Sequence, residues 1–147
     1  MIKKISMVCV LLLFSCVSLA SARDAIEKVS INEAFEFEQV KELFADDISF
    51  FWGDQVHPPV IKKFGSYKTS KRTSAFGKDR VYACSWAMAS ALNALRDRAV
   101  REGGNAVINI VSNINNNEES STTEFTCLAG RMVVNVALKG TVVTLGK

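Results

Sequence analysis

The sequence predicts an α+β fold: one main helix packed on a mostly antiparallel sheet, a βαββ-type core with an N-terminal helix/strand extension. Three observations carry this. Met88, Leu92, Leu95 and Ala99 recur at spacings of four, three and four, which gathers them on one helical face. The pair Gly103-Gly104 ends that helix, because glycine takes the left-handed position that side chains disfavour. Strand formers follow at once over residues 105–112, and again over 123–128, 132–138 and 141–145.

The N-terminus reads as an export signal. Lys3 and Lys4 are positive, residues 5–19 are apolar, and Ala20-Ser21-Ala22 offers small residues for cleavage after Ala22. The apolar run is shorter than the roughly 20 residues that span a bilayer. An alternative is a lipoprotein anchored at Cys16, since Leu13-Phe14-Ser15-Cys16 resembles an imperfect lipobox. Three segments follow: a signal peptide over 1–22, an acidic extension over 23–46 and an α+β domain over 47–147. No other stretch is long and apolar enough to span a membrane, so no transmembrane segment is expected in the mature chain.

Within the extension, residues 26–31 form a short strand, and Asn32 caps a helix over 33–44 with Phe37, Val40 and Phe44 at helical spacing. Residues 48–52 are dense in strand formers and close at Gly53-Asp54. His57-Pro58-Pro59 imposes an extended turn, because a residue before proline avoids the helical region. A strand is expected over 60–68 and an exposed loop over 69–78, which is polar and punctuated by Gly77. Ser85 offers a cap hydroxyl to the main helix or sits in its first turn. Ala87, Ala91 and Ala94 keep that helix thin, and Arg96, Arg98 and Arg101 complement the negative end of its dipole. Residues 114–122 read as an asparagine- and serine-rich loop.

Charge narrows the partners. The whole chain carries +3, but removing Lys3 and Lys4 leaves sixteen basic against fifteen acidic residues, a net of about +1. Nucleic acid is therefore not an expected partner. The charges are unevenly placed, however. Residues 24–47 hold eight acidic side chains against Lys28 and Lys41, whereas residues 62–80 hold Lys62, Lys63, Lys68, Lys71, Arg72, Lys78 and Arg80 against Asp79. The two segments are solvated faces, or they dock on each other, or the basic one touches an anionic envelope polymer or lipid surface. Those seven cations are the candidate interaction surface, together with residues 69–78 and 113–121, because loops on a rigid scaffold carry recognition.

Chemistry-bearing residues are few. The exported chain keeps Cys84 and Cys127, whose expected role is a structural disulfide in an oxidising compartment. A redox thiol and two unpaired buried thiols are the alternatives; Cys84 at a helix head would have a lowered pKa if free. His57 is the only histidine and reads as a turn residue, without the companions that a base or a metal ligand needs. Glu118, Glu119 and Glu124 would hold at most a weak hard cation. Trp52 and Trp86 lie among apolar positions and read as packing. No catalytic residue, metal site or cofactor is expected.

The run Ala83-Cys84-Ser85-Trp86, the helix with Ala91, Leu92, Arg98 and Ala99, and Gly104-Asn-Ala-Val-Ile-Asn-Ile110 resemble a family of small secreted bacterial proteins. Cys127-Leu-Ala-Gly130 and Val136-Ala-Leu-Lys-Gly140 belong to the same resemblance, which covers roughly residues 47–145. Members of that family are often labelled excinuclease ATPase subunits. The chain lacks the glycine loop ending in Gly-Lys-Ser/Thr that such an ATPase needs: Gly65-Ser-Tyr-Lys-Thr-Ser70 has some of the letters without the spacing. More distantly, the Gly104-Asn-Ala-Val strand and the glycine-containing last hairpin resemble the Rcs envelope-stress sensor lipoprotein and the YbjQ-type domains, sometimes called heavy-metal-binding. The sensor resemblance implies a lipid anchor, two disulfides and envelope partner proteins. The YbjQ-type resemblance implies a homo-oligomer, ring-like through sheet edges. Together these imply a non-enzymatic periplasmic binding or envelope-sensing module. The alternatives are a thiol-dependent or cell-wall-directed enzyme and a weak metal-binding protein.

Overall fold

The computed structural model of the chain describes residues 24–42, 44 and 47–147. The export segment, its cleavage after Ala22, and Cys16 lie outside the described residues. In chain order the elements are β1 (Ala25–Ser30), α1 (Ile31–Glu36), α2 (Glu38–Lys41), β2 (Ser49–Trp52), β3 (Val60–Ser74), α3 (Arg80–Glu102), β4 (Ala106–Ile114), β5 (Asn117–Glu119), β6 (Glu124–Ala129) and β7 (Val133–Leu145). The fold class is α+β, as expected.

All seven strands join one sheet, and β7 is its spine. Along one edge β7 pairs antiparallel with β3, from Val60↔Leu145 to Ser74↔Val133. Along the other edge its C-terminal half meets β4, while Val134 and Asn135 meet β6. β1 lies outside β6, and β5 and β2 flank β4; only β2–β4 is parallel. β1 is thus a strand of the same sheet as the segments that follow.

α3 lies across one face. Its Met88, Leu92, Leu95 and Ala99 join Val134, Val136, Leu138 and Val142 of β7, Val107 and Ile110 of β4, and Phe125 of β6 in the core. Side chains of this size contribute about 1.5–3 kcal/mol each when fully buried. The alternation along β7 follows from the pleat, which sends every second side chain toward α3. Gly140 sets the approach distance: a Cβ there would lie 2.5 Å from Val107 Cγ1 and 3.4 Å from Leu95 Cδ1. Opposite Gly140, β4 bulges at Asn109 (φ 50°), so the register shifts between Ile108 and Val111. On the other face a small cluster of Ala106, Ile108, Val143 and Leu145 packs with Phe51. His57 meets the Phe51 ring edge-on at 5.6 Å, and its Nδ1–H donates to Pro58 O at 2.8 Å, so it is the turn residue expected.

Four expectations need correction. Asp79, not Ser85, caps α3: its Oδ1 accepts from Tyr82 N–H at 3.1 Å. Ser85 sits on the packed face, fully buried, and donates to Val81 O at 2.6 Å, which satisfies its hydroxyl without solvent. Consequently Cys84 lies in the second turn of α3 and does not head it. The helix expected over 33–44 is split at Phe37 (φ −69°, ψ 122°), and Ser30, not Asn32, accepts from Glu33 N–H at 3.3 Å. The break lets Phe35 meet Phe44 at 5.4 Å and Phe37 meet Tyr82 at 5.2 Å, although residues two apart face away from each other on a straight helix.

The other two corrections lengthen strands. β3 runs on to Ser74, through most of the loop expected over 69–78, because β7 supplies a hydrogen-bonding partner along its whole length. The loop expected over 114–122 contains a hairpin: Asn115 (φ 52°) and Asn116 (φ 62°) make the two-residue turn between β4 and β5. Two successive left-handed residues define a type I′ turn, which asparagine tolerates. Gly103 (φ 82°) ends α3 as expected, its N–H bonded to Val100 O at 3.1 Å.

Candidate interaction surface

The cysteines form a disulfide, with Cα atoms 5.9 Å apart, and both residues are fully buried between α3 and β6. The bridge is structural in position: it ties the second turn of the helix to the strand beneath. Among the described residues no cluster of His, Cys, Asp and Glu is placed to hold a metal ion. Glu118 pairs with Lys139, and Glu119 pairs with Lys28 while accepting from Thr126 Oγ1 at 2.8 Å. Those two carboxylates are therefore engaged by lysines. Trp52 is buried against Phe125, with rings 6.4 Å apart, and is packing as expected.

The acidic N-terminal segment joins the sheet through β1 beside β6, and two of its carboxylates pair with α3. Arg80 pairs with Glu27 at 2.8 Å, and Arg96 pairs with Asp47 at 2.8 Å. The Arg96 hydrogen bond holds the Asp47 carboxyl below its usual range. Arg98 stacks over the Tyr67 ring at 4.0 Å and pairs with Glu102 at 3.0 Å, which fastens the end of α3 to β3.

The seven candidate cations divide. Lys62, Lys63, Lys68, Lys71 and Arg72 lie on β3, Lys78 in the turn after it, and Arg80 at the start of α3. Arg80 has its carboxylate partner. Among the described residues the other six have none. Register assigns their faces. Lys63, Lys68 and Arg72 stand opposite Val143, Lys139 and Asn135, on the face turned away from α3. Lys62 stands opposite Thr144 on the helix side, its Nζ 4.8 Å from the Phe64 ring centroid. Lys68 and Arg72 are four residues apart, about 13 Å along the strand.

Around these cations the open face is rich in amide groups. Lys68 Nζ donates to Asn116 Oδ1 at 3.1 Å, and Ser70 Oγ donates to Asn135 Oδ1 at 3.0 Å. Asn113 is only 6% exposed, and its Oδ1 has no hydrogen-bond partner. The hollow formed by Lys68, Ser70, Arg72, Asn113, Asn115, Asn116 and Asn135 contains no carboxylate. It shares Arg72 and Asn135 with a larger open groove of about 860 Å³, lined also by Asp24, Leu128, Arg131, Met132 and Val133. Sequence reasoning did not single out Asn135, Arg131 or Met132. No local signal marks them, since only the β3–β7 and β6–β7 pairings bring them beside Arg72.

No protein-family model matches the chain, and comparison with curated proteins and with solved structures found no match. Among the described residues no helix is long and apolar enough to cross a membrane.

Proposed function

We propose that this chain is an exported, non-enzymatic binding or sensing module of the cell envelope. It attaches to an anionic envelope component through the open face of β3. One observation carries the reading: Lys63, Lys68 and Arg72 share a face and have no carboxylate partner among the described residues. By contrast, Arg80, Arg96 and Arg98, which tie elements of the fold together, have carboxylate partners. Export with cleavage after Ala22 belongs to the same proposal, and the buried disulfide suits an oxidising compartment. The resemblance to secreted and envelope-sensor families points the same way.

Lysines on a strand with an open edge also prevent edge-to-edge association. That role predicts self-association when the charges are removed; the binding role predicts loss of attachment. The test is attachment of the purified protein to isolated envelope fragments across ionic strength. Between roughly 0.01 M and 1 M the screening length falls from ~30 Å to ~3 Å, so attachment should be strong at the low end and absent at the high end. No attachment at low ionic strength would sink the proposal.

A further inference from the structure

The row of cations on β3 ends at an apolar corner. Ser74 stands opposite Val133, and Ala75 N–H donates to Met132 O at 2.8 Å, so the end of β3 lies against the β6–β7 turn. The next turn is closed by Lys78 N–H to Ala75 O at 3.2 Å, with Gly77 at φ 68°. That turn holds Phe76 at its outer position. Phe76 is 70% exposed, Met132 58% and Val133 45%. Met132 and Val133 line the open groove with Arg72 and Arg131, and Phe76 directly follows the residue hydrogen-bonded to Met132; exposed apolar side chains on neighbouring turns mark an interaction surface.

The charges at this corner are mainly positive. Arg72, Lys78 and Arg131 have no ion-pair partner among the described residues. The nearby carboxylates are Asp24 and Asp79, and Asp79 is occupied by Tyr82 N–H at the start of α3. Asp24, the first described residue, lines the groove beside Arg131 and Met132, so the chain enters the fold at this corner.

We propose that this corner lies on an anionic phospholipid leaflet, with Phe76 and Met132 entering the headgroup–acyl boundary and Arg72, Lys78 and Arg131 meeting lipid phosphates. This rests on the reading of the β3 face as an anion-attachment surface and names the anion. A hydrated anionic polymer would pair with the cations but would leave Phe76 and Met132 in water. A lipid interface rewards both, through apolar burial and through attraction to surface phosphate. Each cation near such a surface raises binding on the order of fivefold.

The test is vesicle flotation with the Cys16→Ser chain, purified as the host processes it so that no attached lipid contributes. Vesicles of phosphatidylcholine alone are compared with vesicles that also contain phosphatidylglycerol, and with peptidoglycan sacculi in a pelleting assay. The protein is expected to float only with the phosphatidylglycerol vesicles. The double variant Phe76→Ser/Met132→Ser is expected to lower the bound fraction on the order of tenfold with an unchanged melting curve, because both side chains are exposed. Flotation that survives this double variant overturns the proposal. Binding to sacculi but not to vesicles overturns the lipid and leaves anion attachment standing; binding to neither overturns both.

Discussion

The two faces of the sheet are made from the same strands under opposite rules. Beneath α3, Val134, Val136, Leu138 and Val142 are fully buried, and the disulfide joins helix to sheet among them. On the open face, β7 offers Asn135 and Lys139, and its far end carries Val143 and Leu145 in the small cluster with Phe51; β3 adds Lys63, Lys68 and Arg72. Three arginines of α3 have carboxylate partners: Arg80 has Glu27, Arg96 has Asp47 and Arg98 has Glu102; Arg101, in its last turn, has none among the described residues. The cations of β3 have none among the described residues. One face is closed by apolar packing and a disulfide, and the other presents the β3 cations without carboxylates, which separates what the fold needs from what it presents. Variants under α3 should therefore change stability, and variants on β3 should change attachment.

The largest stability effect is expected from the disulfide. Its cysteines are 43 residues apart, a loop whose closure entropy corresponds to about 4 kcal/mol. Cys84→Ala/Cys127→Ala should lower the melting temperature on the order of 10–20 °C in calorimetry, while the protein that remains folded keeps its salt-dependent attachment. Coupled loss of attachment at temperatures where the variant is folded would break the separation of the two faces.

Next comes Gly140→Ala. The added methyl would meet Val107 Cγ1 at 2.5 Å and press on Ile110 and Leu95, which should cost about 1–3 kcal/mol in urea unfolding. A neutral result would mean that α3 has room to lift off the sheet. Asp79→Ala removes the α3 cap and should cost about 1 kcal/mol; Ser85→Ala should not reproduce an N-cap defect, since Ser85 bonds within the helix.

The smallest effect is on pH. Arg96 depresses the folded pKa of Asp47, so the pair's contribution is fully present above the usual carboxylate range and fades as pH falls through the lowered value. Carboxyl NMR should show Asp47 titrating below its ordinary range, and Arg96→Met should return it. An unchanged midpoint in that variant would sever the proposed link between Asp47 and α3.

What the sequence disclosed follows from which signals are local. The α3 stripe was legible because Met88, Leu92, Leu95 and Ala99 repeat with the helical period, and Gly103 stops it by a property of its own backbone. The second half of β3 was not. An edge strand with Ser70, Lys71, Arg72 and Ser74 has no apolar alternation to betray it, and β7 holds it in place from far along the chain. Ser85 misled because a serine near a helix start looks like a cap whether or not a better-placed Asp79 has taken the role.

The basic set was legible as composition, but its division between faces was not. Bulges between Val60 and Lys62 and between Lys63 and Gly65 shift the parity of the strand. Counting alternately back from Lys68 puts Lys62 on the open face; the actual register puts Lys63 there instead. The apolar corner was harder still. Phe76 sits in a turn, and Met132 belongs to a different hairpin, so nothing in the local sequence joins them.

The most direct measurement of the central claim is attachment of the Lys63→Glu/Lys68→Glu/Arg72→Glu variant to isolated envelope fragments at low ionic strength, beside the unaltered chain. Exposed surface changes of this kind usually alter stability by no more than about 0.5 kcal/mol each, so the melting curve should barely move. Attachment should fall by a hundredfold or more, since three cations on the order of fivefold each are lost and three repulsive charges are added. Attachment equal to that of the unaltered chain, or a collapse of the fold in its place, would contradict the division between a packed face and a presenting one.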